Sequence, residues 1–155
     1  MLEIPRRELP GWERKGAQAQ VVIGPEILVI TLHQARVDVE TQAGVAADVP
    51  ESLRKLEAGV SDTVLLGSHR QGSVALLDVL MVERRSYRGK SWKDRLAVLG
   101  KLYDRMPAEF KASYRLATVK RKGLMKAFDE NEARGGVGLL LRVEGQSKAV
   151  FCNRR

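Results

Sequence analysis

The chain has 155 residues, 44% of them hydrophobic and 30% charged, the balance of one ordinary soluble domain rather than a disordered segment. Its 27 Lys and Arg exceed 19 Asp and Glu, a net charge of +8, while one cysteine and two histidines exclude a disulfide framework, most structural zinc sites and a histidine-only metal centre. The longest apolar stretch, 21–32, holds Gly24, Pro25 and Glu26 and cannot span a bilayer as a helix, and the first nine residues (MLEIPRREL) lack the apolar core of a secretory signal, so a cytoplasmic protein is expected.

Residues 1–16 hold two of the five prolines and both signs of charge and read as an irregular arm, leaving 17–155 as a single α+β domain. Residues 20–23 and 26–33 are β-rich runs split by the turn pair Gly24-Pro25. Residues 36–41 (RVDVET) alternate polar and apolar side chains, the period of a half-buried strand. Residues 50–57 predict a short helix, with Asp48 as cap and Pro50 in the first turn, stopped at Gly59. Strands follow at 63–66 and 73–82 around a polar loop, 67–72. Ser91 to Asp94 matches a capping box and predicts a helix to about Asp104, with Leu96, Leu99, Leu102 and Tyr103 facing a core. Pro107 opens a short turn, 114–120 reads as a strand, and 123–134 as a helix with Leu124 and Phe128 inward. Gly135-Gly136 ends it. Residues 137–144 and 148–151 then form a closing hairpin about Gly145. This order predicts an α+β fold, mainly antiparallel sheets with packed helices.

The charge is concentrated. Between Arg84 and Lys126 lie 14 Lys and Arg against three acids, Asp94, Asp104 and Glu109, so the rest of the chain is slightly acidic. A surface of this kind suits a polyanion, because each neutralised phosphate releases condensed counterions. Arg84, Arg85, Arg88, Lys90, Lys120, Arg121 and Lys122 are the expected nucleic-acid contacts, to DNA or RNA, without sequence preference. Tyr87, Trp92, Tyr103, Phe110 and Tyr114 interleave with them, either to stack bases or to pack beneath a helix. Common catalytic signatures are absent: no phosphate-cradling glycine loop and no nucleophile elbow. Cys152 reads as a core or edge-strand cysteine, His33 as the end of a strand, and His69 as a residue of the polar loop. Asp38 and Glu40 share a strand face and read as solvated, not metal-binding.

Taken in order, several stretches resemble the adenylation (nucleotidyltransferase) domain of ATP-dependent polynucleotide ligases, over about residues 20–150. They are 37–44 (VDVETQAG), 48–53 (DVPESL), 63–69 (TVLLGSH) with 74–80 (VALLDVL), 91–96 (SWKDRL) and 134–142 (RGGVGLLLR). The resemblance implies a nucleotide pocket at Val21, Gly24, Gly67, Ser68, Val137, Gly138, Arg142 and Lys148. It also implies a lysine that attacks ATP from a Lys-x-Asp-Gly-x-Arg motif near 21–26, yet no lysine stands there. Lys15 lies too far upstream and lacks the Asp-Gly. Ser68 and Val137 occupy the positions of two carboxylates that would serve ribose and metal, and the chain is expected to stop short of the oligonucleotide-binding barrel of a complete ligase. The expectation is a degenerate, non-catalytic ligase-like module that binds nucleic acid through a basic face and uses no cofactor. Two alternatives stand beside it: a regulatory subunit meeting an acidic protein, and a minimal nucleotidyltransferase with an unusual nucleophile that would need ATP and a divalent metal.

Overall fold

The computed structural model describes residues 1–154. In chain order the elements are β1 (Leu2–Ile4), a 3-10 turn (Arg6–Glu8), α1 (Leu9–Arg14), β2 (Gln18–Val22), β3 (Leu28–His33), β4 (Arg36–Thr41), a second 3-10 turn (Glu51–Leu53), β5 (Thr63–Arg70) and β6 (Ser73–Val82). There follow β7 (Arg85–Ser86), α2 (Trp92–Asp104), α3 (Ala108–Ser113), β8 (Tyr114–Leu116), β9 (Val119–Lys120), α4 (Leu124–Ala133), β10 (Gly138–Arg142) and β11 (Val150–Asn153). The fold is α+β, as the sequence predicts, and nearly all strand pairs are antiparallel. The residues group into two compact units: an end unit, Met1–Pro25 with Ala117–Arg155, and a middle unit, Glu26–Leu116. No helix among the described residues is long and apolar enough to cross a membrane.

The middle unit is a sheet of order β4-β3-β5-β6-β7, with β8 added parallel to β6. Burial in β3 alternates strictly along its six residues, so Leu28, Ile30 and Leu32 face one core. β5 runs on to Arg70, and the loop expected at 67–72 shrinks to the pair Gln71-Gly72, both at positive φ. Polar side chains misled the reading there: Ser68, His69 and Arg70 remain in register with Ala75, Val74 and Ser73. The helix expected at 50–57 is only a 3-10 turn, because Arg54 turns its guanidinium back onto the carbonyls of Val49 and Ala47 and the chain then buries Leu56 and Ala58. Ser91 caps α2 as expected, its Oγ accepting the Asp94 N–H at 3.2 Å, and Leu99 and Leu102 are buried. After Pro107 the chain makes a helix, α3, rather than a turn. Proline preceding the first helical turn loses nothing by lacking an N–H, and the turn buries Phe110. The strand expected at 114–120 is two strands, β8 paired with β6 and β9 paired with β2, each in its own unit.

In the end unit the sheet runs β1-β11-β10-β2-β9. Its first sixteen residues are ordered elements rather than an irregular arm. Pro5 precedes the 3-10 turn and Pro10 sits in the first turn of α1, the positions where a missing N–H is harmless, and Leu9 is fully buried. Arg6 grips Asp129 of α4 with two hydrogen bonds of 2.7 and 2.6 Å, and Glu13 of α1 accepts the Leu124 N–H that starts α4. The closing hairpin forms as predicted, Leu139 opposite Cys152. Asn131, buried on α4, donates to the carbonyls of Val22 and Gly138 at 3.1 and 3.0 Å, tying the helix to β2 and β10.

Candidate nucleic-acid interface

The basic stretch 84–126 is divided between the units, and its charges are unequally compensated. In the middle unit, Arg95 is half-buried against Asp78, donating through Nε and Nη2 at 2.9 and 3.2 Å, and its Nη1 holds the Lys90 carbonyl at 2.7 Å. That pair anchors α2 to β6 and removes Arg95 from any external contact. Arg84 meets Asp62 at 3.0 Å, and Arg105 meets Glu83 at 3.9 Å. Arg85, Arg88 and Lys90 are exposed, with no carboxylate partner among the described residues. Arg85 instead lies over Tyr87, 5.5 Å from the ring centroid.

In the end unit, Lys120, Arg121 and Lys122 are exposed between β9 and α4, again with no carboxylate partner among the described residues. Lys120 and Lys122 line a shallow depression of about 240 Å³ together with Lys126, whose ammonium reaches Glu130 at 3.9 Å. Such lysines gain most when a phosphate replaces water beside them.

Most of the interleaved aromatics are core residues. Trp92, Phe110 and Tyr114 are buried, the last two stacked with centroids 4.4 Å apart, and the Tyr114 hydroxyl donates to Leu53 at 2.7 Å. Burial raises the Tyr114 pKa above its ordinary value. Tyr103 is half-buried under Lys111 and its pKa is likewise raised by burial. Tyr87 remains as the aromatic of the exposed β6–β7 segment.

The positions implied for a nucleotide fall into groups. In the end unit, Val21 lies opposite Leu139 and Gly138 opposite Val22, and the Val137 N–H donates to the Val22 carbonyl at 3.0 Å. Val21 packs on the unit's core. Gly138 is dictated by backbone approach, since a Cβ there would sit 2.0 Å from the Cys152 carbonyl oxygen. Gly24 is buried in the bend that follows β2. Arg142 stands at the far end of β10, about 13 Å along the strand from Gly138. It is buried, donating to Gln20 rather than facing outward. Lys148 is exposed in the β10–β11 loop, on an open groove of about 660 Å³ shared with Met1, Leu2 and Trp12. In the middle unit, Gly67 and Ser68 are adjacent in β5 beside an irregularity of register, and Ser68 is fully buried. A Cβ on Gly67 would lie 2.8 Å from the Ala75 carbonyl oxygen.

A nucleotide–metal centre needs an amine nucleophile and carboxylates. The connection from β2 to β3 has no lysine, Ser68 carries a hydroxyl and Val137 an isopropyl. What sequence reasoning missed is the turn Glu83-Arg84, with φ of 47° and 75°, held by Asp62 at φ 53°. A left-handed non-glycine residue costs roughly 1–2 kcal/mol, and no Gly, Asn or Pro marks this turn in the sequence.

No family model matches the sequence, and no curated protein matches it. Solved structures do match its fold. A mycobacterial DNA ligase D complexed with ATP and MES aligns with TM-score 0.62 at 16% identity, over 89% of this chain and 54% of that one. The ligase domain of M. tuberculosis LigD gives 0.60 at 12%, over 87% and 52%. A Lig E DNA ligase, described as binding DNA with a minimal scaffold, gives 0.60 at 12%, over 90% and 62%. The chain thus spans between half and two thirds of the length of each. Its α+β fold is that of the DNA ligase domains.

Proposed function

We propose that this chain is a non-catalytic, ligase-like module that binds nucleic acid through its exposed basic residues. The observation that carries the reading is the contrast within one fold. Arg85, Arg88, Lys90, Lys120, Arg121 and Lys122 are exposed without carboxylate partners among the described residues, while the positions that resemble a ligase's reacting groups hold no lysine and no acid. Phosphate contacts of this kind carry affinity without base information, so DNA or RNA of any sequence is bound, and neither nucleotide nor metal is required. The DNA-binding description of the Lig E structure supports a nucleic-acid partner for the fold.

Fluorescence anisotropy of the full chain with a labelled oligonucleotide across a salt series tests this. Affinity should fall steeply with salt, and the triple variant K120A/R121A/K122A should reduce the log–log slope by about 2. Binding that does not change with salt overturns the reading. Intact-protein mass spectrometry after incubation with ATP and magnesium should show no AMP adduct, and an adduct would establish the catalytic alternative.

A further inference from the structure

The connection from β6 to β7 departs from ordinary hairpin chemistry. Two-residue hairpin turns of type I′ use Asn-Gly, Asp-Gly or Gly-Gly because both central residues must reach positive φ. Here Glu83 and Arg84 do so, and Asp62, also left-handed, holds them. The Arg84 N–H donates to the Asp62 carbonyl at 2.9 Å, and Arg84 Nε to its carboxylate at 3.0 Å. The Glu83 N–H donates to Thr63 Oγ1 at 3.1 Å. None of the strained side chains is buried, so the core gains nothing from them. What the strain does achieve is a fixed direction for Arg84 and Arg85.

Past the turn the backbone is held by hydrogen bonds. The Tyr87 N–H donates to the Leu80 carbonyl at 2.8 Å, and the Lys90 N–H to the Tyr87 carbonyl at 3.0 Å. Arg95 then clasps the Lys90 carbonyl. Along this strip Arg85, Arg88 and Lys90 are exposed, Tyr87 between them in sequence is half-buried, and the Arg85 guanidinium lies above its ring. Phosphates alone do not distinguish paired from unpaired strands. An aromatic ring and a planar guanidinium do, because they reach a base face only when the base has left its stack.

We propose that residues 83–90 form a preorganised contact for an unpaired stretch of nucleic acid, in which Tyr87 and the Arg85 guanidinium offer the stacking surface and Arg88 and Lys90 meet the flanking phosphates. This rests on the nucleic-acid reading above and adds a substrate class to it. Rigidity lowers the ordering cost of the contact, which gives the strained turn a purpose.

The test uses the full chain, a labelled thymidine homopolymer, a duplex of equal length, and inorganic polyphosphate as a competitor without bases. The strand should bind more tightly than the duplex. Tyr87→Ala should weaken the strand about tenfold and leave polyphosphate competition unchanged, while Tyr87→Phe keeps wild-type affinity. E83N/R84G, which installs the usual turn, should raise Tm by about 5 °C yet weaken strand binding. The proposal is overturned if Tyr87→Ala leaves the strand unaffected, if it weakens polyphosphate by the same factor, or if the turn variant binds as well as wild type. Equal wild-type affinity for strand and duplex overturns this proposal alone, whereas failure to bind strand, duplex and polyphosphate overturns the nucleic-acid reading itself. Should Tyr87→Ala prove unfolded by circular dichroism, the turn variant decides.

Discussion

His69 shows how far a side chain's role escapes its sequence context. Its neighbours are polar and glycine-rich, which suggests a solvated loop, but it lies within β5, next to its last residue, and its Nε2 accepts the Gly72 N–H at 3.0 Å. Only an unprotonated nitrogen can accept that bond. Burial holds its pKa below the ordinary 6.5, with the Asp48 charge pulling the other way. A depressed folded-state pKa means that the unfolded chain binds the proton first. The contribution is therefore complete above about pH 6.5 and is lost as the pH falls toward the lower folded value. Thermal unfolding of the wild type should lose more Tm between neutral pH and about 5 than His69→Asn, which does not titrate. Parallel pH profiles would remove this role from His69. Cys152 followed its sequence reading more closely: it is fully buried in β11, and burial pushes the thiol up to about 11 despite the nearby Arg6. A small, weakly polar thiol is commonly buried, which was sufficient for that reading. The residues at the resembling pocket positions divide the same way, since Gly67 and Gly138 are explained by close backbone approach, which a lone glycine in a sequence does not reveal.

At the scale of elements, periodicity located α2, α4 and β4 almost to the residue, because each buries one face at the expected spacing, and the closing hairpin to within two residues. It failed where an element's limits depend on a partner. Residues 114–120 look continuous, yet β8 and β9 follow different strands, and no local pattern encodes which neighbour each will join. The anchoring of α4 was equally invisible. Asn131 in a helix reads as solvated, but its Nδ2 bridges the carbonyls of Val22 and Gly138, and Gly136 is required beside it because a Cβ would overlap the amide. Asn131→Ala should cost about 2 kcal/mol, since it leaves two buried acceptors without this donor. Urea unfolding would measure it, and a change below about 0.5 kcal/mol would show that the bridge does not hold the helix.

For the whole molecule, chain order separates the two units. Every sheet pairing of the middle unit lies within 26–116, around a core from Leu28 to Tyr114. The end unit must instead pair β1 and β2 with strands more than a hundred positions away, Leu2 with Val150 and Ala19 with Lys120. Local pairings close small loops, whereas distant ones carry a larger entropic cost. A fragment of residues 26–116 should therefore unfold cooperatively by circular dichroism, and 117–155, deprived of β2, should not. A non-cooperative 26–116 fragment would remove the independence of that unit. By itself the sequence determined the class of fold, the places of α2, α4 and β4, the concentration of positive charge and the absence of lysine near 21–26, because composition and periodicity are local properties. Tertiary structure alone decided which of those charges are compensated, which aromatics are core, where the backbone is strained and that 84–126 is shared between two units. Those outcomes depend on contacts between residues far apart in the chain: Asp62 with Arg84, Asp78 with Arg95, Leu53 with Tyr114.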